Sequence, residues 1–131
     1  MSQNFEKVKR YLVDLDYAIE VEDIEGELFV IDKVEDGLKN VIVDCEDQIL
    51  IIESLIFEVK QPSKELFQWL LTKNRHLVHG AFVLDETAQK VLYRDTLQLE
   101  NLDLNELEAS LNSLQLLLSE YLDDILTFSK N

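Results

Sequence analysis

The last quarter of the chain carries the pattern that most restricts the fold. Apolar residues recur there three and four positions apart, which is the spacing of one face of an α-helix. The stripe consists of Leu104, Leu107, Leu111, Leu114, Leu118, Tyr121, Ile125 and Phe128. Asp103 and Glu106 have the spacing of a capping box, in which each side chain accepts from the other residue's backbone N–H. We therefore predict one unbroken helix over residues 103–128, about 39 Å long.

Four short runs in the first half of the chain predict β-strands. They are rich in β-branched and aromatic residues, which strands prefer. The runs are residues 17–21, 28–31, 41–43 and 49–57. The turns between them are short, and Asp36-Gly37 is a strong hairpin signal. Strands joined by such short turns pair antiparallel with their neighbours.

Two further helices and a second hairpin complete the pattern. An amphipathic helix over residues 5–15 can be capped by Ser2 or Asn4, and Ser63 can cap a second helix that ends near Arg75. Residues 78–84 and 90–97 predict the hairpin. The order is helix, three or four strands, helix, two strands, helix. This order predicts an α+β fold in which an antiparallel sheet of five to six strands meets three helices, as a single domain over residues 1–131.

The charge balance restricts the partners of the chain. There are 27 acidic residues against 12 Lys and Arg, giving a net charge of −15. Binding to nucleic acid or to an anionic membrane surface requires clustered cations, so we expect neither partner. No apolar run approaches the roughly 20 residues of a membrane span. A single cysteine allows no intramolecular disulfide, and we expect a cytoplasmic location.

The sequence contains no recognisable catalytic, metal-binding or cofactor-binding motif. His76 and His79 are three residues apart, but a metal site needs three or four converging ligands. Asp44 and Glu46 flank Cys45 and should raise the pKa of its thiol, which opposes a nucleophilic role. Only three glycines are present and none forms a phosphate-binding loop. We therefore predict that the protein is not an enzyme and holds no cofactor or metal.

The excess of apolar residues is the stronger functional signal. Apolar side chains crowd both faces of the predicted strands, while only one sheet face can meet the helices. The other face would be an apolar peptide-binding surface, or a dimer would cover it. The apolar residues beside the stripe of the last helix could form either a dimer interface or a large contact with the sheet. Trp69 could serve either as an interface anchor or in core packing. The candidate partner or dimer surface comprises Phe29, Ile31, Ile42, Ile49, Ile51, Trp69, Leu117, Leu122 and Leu126.

The second half of the chain also resembles a known group of proteins. The segments that carry the resemblance are Asn74-Arg75-His76-Leu77, the run His79-Gly80-Ala81-Phe82-Val83-Leu84-Asp85, and residues 91–97. They resemble the type III secretion chaperone-like superfamily, in particular its Tir-chaperone (CesT-like) and YbjN-like branches. The resemblance implies a small, acidic, cytoplasmic homodimer without enzymatic activity.

Secretion chaperones of this fold bind an extended segment of a secreted effector along apolar grooves on the sheet and the first helix. Our functional hypothesis is therefore a non-enzymatic, chaperone-like module that holds an extended segment of a partner protein. The alternative is a regulatory or sensory domain of the YbjN type with an unidentified ligand.

Overall fold

A computed structural model describes residues 2–130 as one six-stranded antiparallel sheet with four α-helices. The strand order across the sheet is β1-β2-β3-β4-β6-β5. The elements are α1 (Gln3–Asp14), β1 (Ala18–Asp23), β2 (Leu28–Lys33), β3 (Leu38–Glu46), β4 (Ile49–Glu58), α2 (Lys64–Lys73), β5 (Ala81–Leu84), β6 (Lys90–Gln98), α3 (Leu104–Glu120) and α4 (Leu122–Lys130). The predicted α+β class and order of elements are confirmed, with β1 as a full sixth strand.

The helices begin at the polar residues that the sequence marks. Ser2 accepts from the backbone N–H of Phe5 and Ser63 from that of Leu66, each at 3.0 Å. At the start of α3, Asp103 accepts from the backbone N–H of Glu106 at 2.8 Å. The Glu106 side chain accepts in return from the backbone N–H of Asp103 at 3.2 Å, which completes the capping box. Each such cap stabilises its helix by about 1 kcal/mol.

The prediction of one unbroken helix over residues 103–128 is wrong. The helix is interrupted at Tyr121, whose backbone angles (φ −106°, ψ 17°) are not helical. The ring of Tyr121 packs edge-on against Trp69, with ring centroids 5.8 Å apart. After the interruption, α4 contacts β4 and its residue Ile125 is buried.

Helices α1, α2, α3 and α4 all pack on the same face of the sheet. The ring of Phe5 in α1 stacks on Phe29 of β2 with centroids 4.3 Å apart. On the other side of the core, the hydroxyl of Tyr93 in β6 donates to the carbonyl of Ser110 in α3 at 2.9 Å. Phe29 and its neighbour Ile31 are fully buried beneath this helical layer. The prediction that they belong to a partner surface is therefore wrong for the folded chain.

Candidate partner-binding surface

The sheet face opposite the helices carries exposed apolar side chains in the described chain. Directly paired residues of an antiparallel sheet point to the same side, so the register identifies the members of this face. One row crosses all six strands, from Val21 through Val30, Ile42, Glu53 and Arg94 to Ala81. We call this face the open sheet face. Its other members include Leu28, Asp44, Ile49, Ile51, Leu55, Val83, Leu92 and Thr96.

The apolar side chains of the open sheet face form two groups. One group lies on β2, β3 and β4 and contains Val30, Ile42 and Ile51, while the second spans β4, β6 and β5. The second group pairs Leu55 with Leu92 and Leu92 with Val83. Leu55 is 53% exposed and Ile42 is 37% exposed, in a region where no described helix covers the strands. Because large exposed apolar patches are a feature of interaction sites, we take the open sheet face as the candidate partner-binding surface.

Charged residues set the electrostatic character of the open sheet face. Glu53 and Arg94 form an ion pair across β4 and β6, between the two apolar groups. Asp44 and Glu46 lie on the same side of β3 and add negative charge. Partial burial, together with the charges of Glu46 and Glu53, raises the pKa of Asp44 above its ordinary value. The β3 side of the face is therefore negative and attracts basic groups.

The two edges of the sheet are poorly suited to adding a strand. At the β5 edge, the side-chain amide of Asn74 donates to the carbonyl of Phe82 at 3.1 Å and accepts from its N–H at 2.7 Å. Asn74 thus occupies backbone groups that an added strand would need. The β1 edge carries a bulge between Ile19 and Val21, and bulged, acidic edges disfavour strand pairing. The face of the sheet is more accessible to a partner than either edge.

The predicted surface residues are divided between the two sides of the molecule. Ile42, Ile49 and Ile51 lie together on the open sheet face. Leu55 and Leu92 of the same face were not predicted as candidates, although the same alternation extends along β4 and β6. Leu122 and Leu126 of α4 are about half exposed on the helical layer, at 50% and 44%.

Leu117 is buried in the folded chain, so the prediction that it belongs to a partner or dimer surface is wrong. It is only 1% exposed, because α3 is rotated so that Leu117 points into the core and Leu118 is half-buried. Two strongly exposed apolar residues, Val78 (86%) and Leu71 (72%), were not predicted as candidates, whereas Leu116 (62%) belongs to the predicted apolar flank of the last helix. Val78 was predicted to begin a strand over residues 78–84, but β5 begins only at Ala81 and Val78 lies in the loop before it.

Trp69 belongs to an aromatic cluster at the end of the helical layer. Its ring lies 5.3 Å from Phe82 and 5.3 Å from Phe128, measured between centroids, and it also contacts Tyr121. Its indole N–H donates to Asp124 at 3.2 Å. Because Trp69 is only half-buried, it both packs in the core and reaches the surface.

The single cysteine of the chain has a thiol that its surroundings do not activate. Cys45 is buried, and desolvation together with the charges of Glu27 and Asp44 raises its pKa to about 12. Its thiol is therefore neutral at physiological pH and a poor nucleophile. Within residues 2–130, no group of three His, Cys, Asp or Glu side chains converges to hold a metal ion. In the same range, none of the helices has the length and apolar character needed to cross a membrane.

An antiparallel sheet with helices on one face and an apolar opposite face defines a protein of the secretion-chaperone-like α+β class. The CesT_Tir_1 family model matches residues 1–131, and the chain belongs to this family. The resemblance inferred from the sequence is thus confirmed. No curated protein matches the chain by sequence.

Solved structures share the fold at low sequence identity. The HopA1–SchA chaperone–effector complex contains a chain that is 13% identical, with a TM-score of 0.61 and coverage of 100% of this chain and 99% of that one. The Yersinia pestis type III secretion chaperone SycH, in complex with a fragment of YscM2, is 16% identical, with a TM-score of 0.62 and coverage of 97% and 100%. YbjN from E. coli is 13% identical, with a TM-score of 0.69 and coverage of 91% of each chain.

Proposed function

We propose that this protein is a non-enzymatic, chaperone-like binding module that holds an extended segment of a partner protein on its open sheet face. The observation that carries the proposal is the exposure of the two apolar groups around Ile42 and Leu55, on a face without helical cover. Membership of the CesT_Tir_1 family supports it. Chains of the same fold are seen in complexes with an effector, in HopA1–SchA, and with a YscM2 fragment, in SycH.

Binding would be driven by apolar burial and directed by charge. An extended segment presents alternate side chains to one side, which can pack between the ridges formed by paired residues such as Leu55 and Leu92. The acidic residues Asp44 and Glu46 would favour basic residues flanking the apolar ones. Such charges chiefly raise the association rate and the specificity, while the apolar contacts supply the affinity.

The protein would act in the cytoplasm as a homodimer. We place the dimer contact on the helical layer, where Leu116, Leu122 and Leu126 are exposed. Pairing through the open sheet face would bring Asp44 and Glu46 of two copies together, which is electrostatically unfavourable. The double variant Leu122→Asp and Leu126→Asp should convert the dimer to a monomer, as measured by light scattering after gel filtration. A dimer that persists in this variant would contradict this placement.

The experiment that tests the function is affinity capture from a lysate of the source cells at low and high salt, followed by binding of the purified partner. The test variant is Leu55→Asp, and the matched control is Val13→Asp on the outer side of α1. The two positions have nearly equal exposure, 53% and 55%, so each substitution should leave the fold intact. We expect one saturable partner that is retained at high salt. Val13→Asp should bind it with unchanged affinity, and Leu55→Asp should bind it with an affinity at least about ten-fold lower.

Three outcomes would count against the proposal. If both variants bind the partner equally, the contact lies outside the region of Leu55. If the partner is lost only at high salt, binding depends on charge attraction and not on apolar contacts. No partner at either salt would favour the second candidate, a regulatory or sensory domain with a small ligand. That candidate is supported by the likeness to YbjN, whose TM-score of 0.69 exceeds the 0.61 and 0.62 of the two chaperone complexes.

A further inference from the structure

A cavity on the helical layer combines aromatic walls with acidic side chains. It lies where the start of α2 faces α4 and has a volume of about 260 Å³. Trp69 and Phe128 line it with rings that are tilted by 54° and separated by 5.3 Å between centroids. Glu65 of α2 and Asp124 of α4 contribute carboxylates to the same lining. The cavity is separate from the open sheet face, because the sheet lies between them.

The two charged side chains that line this cavity are both acidic, which suits a cationic ligand. None of its lining residues is Lys or Arg, and the chain as a whole has a net charge of −15. One oxygen of Asp124 accepts from the indole N–H of Trp69 at 3.2 Å, which positions the carboxylate and leaves its second oxygen for a ligand. Glu65 is exposed and can turn towards the same point.

The aromatic cluster already accepts one cation from within the chain. On another side of the cluster, the Nζ atom of Lys73 lies 5.4 Å from the ring centroid of Tyr121. Tyr121 in turn contacts the ring of Trp69. A cation over an aromatic ring is attracted by the negative face of the ring, and the attraction grows when water is partly excluded.

We propose that this cavity binds the guanidinium group of an arginine side chain from a partner protein. A guanidinium is planar, stacks on an indole ring, and can donate in two directions to separate carboxylates. A cavity bounded by Trp69, Phe128, Glu65 and Asp124 offers both kinds of contact at once. Lysine has a compact, strongly hydrated ammonium that cannot stack and is the poorer ligand. The site provides a second contact point, independent of apolar binding at the open sheet face.

Trp69 is the only tryptophan of the chain, so its fluorescence reports directly on the cavity. The probe is an acetylated and amidated Gly-Arg-Gly tripeptide, titrated against the full chain. Matched tripeptides carry citrulline, the neutral analogue of arginine, or lysine. We expect a saturable change in emission with the arginine peptide, affinity about ten-fold lower for citrulline, and an intermediate value for lysine.

Two conservative variants test the carboxylates without removing core atoms. Glu65→Gln and Asp124→Asn should each weaken binding of the arginine peptide about five- to ten-fold. Glu35→Gln removes the same charge from an exposed position in the turn between β2 and β3 and should leave binding unchanged. Thermal unfolding of each variant verifies that the fold is retained.

Several results would overturn the inference. These are no saturable change with the arginine peptide up to its solubility limit, equal affinity for citrulline, or no effect of Glu65→Gln and Asp124→Asn. An equal loss in Glu35→Gln would assign the effect to overall charge rather than to the cavity. Leu55→Asp should leave arginine-peptide binding intact, so failure of the cavity and failure of the open sheet face are distinguished.

Discussion

Gly80 lies directly against the ring of Tyr93, at the point where the chain enters β5. A Cβ atom at Gly80 would lie 2.5 Å from two ring carbons of Tyr93 and 2.6 Å from its hydroxyl oxygen. The backbone at Gly80 also has a positive φ of 74°. Because the Tyr93 hydroxyl donates to the carbonyl of Ser110, this close approach lies beside the contact that joins β6 to α3. Only glycine satisfies both the conformation and the space.

Gly80→Ala should therefore destabilise the protein by about 3 kcal/mol, since it combines a strained left-handed residue with a steric clash. The measurement is the free energy of unfolding in urea. Gly37→Ala is the matched control, because Gly37 has nearly the same φ, 76°, but no atom within 4 Å of the added carbon. We expect it to cost only about 1 kcal/mol. Equal losses would show that backbone strain alone acts at Gly80.

Asn74 protects the outer edge of β5, and Asn74→Ala should expose it. Its two hydrogen bonds to Phe82 are partly buried, so their loss should reduce the free energy of unfolding by about 1 to 2 kcal/mol. The freed backbone groups should also increase self-association through strand pairing, measured by light scattering. Asn112→Ala, at an exposed position of α3, should change neither property. If Asn74→Ala is as monodisperse as the wild type, the edge of β5 does not need the Asn74 side chain to prevent strand pairing.

The order of the helices and strands could be predicted from the sequence, because caps, turns and apolar spacing each depend only on residues close together in the chain. Ser63 and Asp103 mark helix starts through hydrogen bonds that span three residues, and the structure contains both caps. The break at Tyr121 could not be read in this way. No Gly or Pro occurs there, and the interruption coincides with the packing of Tyr121 on Trp69, a residue 52 positions earlier (121 − 69). Contacts between distant residues override a continuous helical pattern.

The candidate surface was predictable only in part, for a related reason. Alternation in a strand shows that two faces exist, but does not show which face meets the helices. Ile31 and Ile42 have equal hydrophobicity, yet the register places Ile31 under α1 and Ile42 on the open sheet face. Leu117 illustrates the same ambiguity in a helix. A rotation of α3 by one residue about its axis would expose Leu117 and bury Leu118 in its place.

Ionisation of Cys45 should destabilise the protein at alkaline pH. Burial raises its pKa from 9.0 to about 12, so above pH 9 the unfolded chain loses the thiol proton while the folded chain keeps it. The folded state then binds more protons, and stability falls as pH rises through this window. Between pH 8.5 and 10 the wild type should lose about 1 kcal/mol more than Cys45→Ala.

The comparison with Cys45→Ala isolates the thiol from other ionising groups. Tyr17 and Tyr93, whose pKa values burial also raises to about 12, contribute equally to both proteins. The measurement is urea unfolding at a series of pH values. Parallel pH profiles for the two proteins would contradict the assignment to Cys45, even if Cys45→Ala is less stable at every pH because of the cavity it leaves.

Leu116 and Leu117 are neighbours in α3 but have opposite environments, with 62% and 1% of their surfaces exposed. Leu117→Asp would bury an unpaired carboxylate and remove apolar packing, so we expect a loss of about 4 kcal/mol or more, enough to unfold a marginal domain. Leu116→Asp should cost the monomer less than about 1 kcal/mol, because the new charge stays in water when the chain is not paired. Urea unfolding measures both, and gel filtration of Leu116→Asp reports on the proposed dimer contact. Similar losses for the two variants would contradict the rotation of α3 described here.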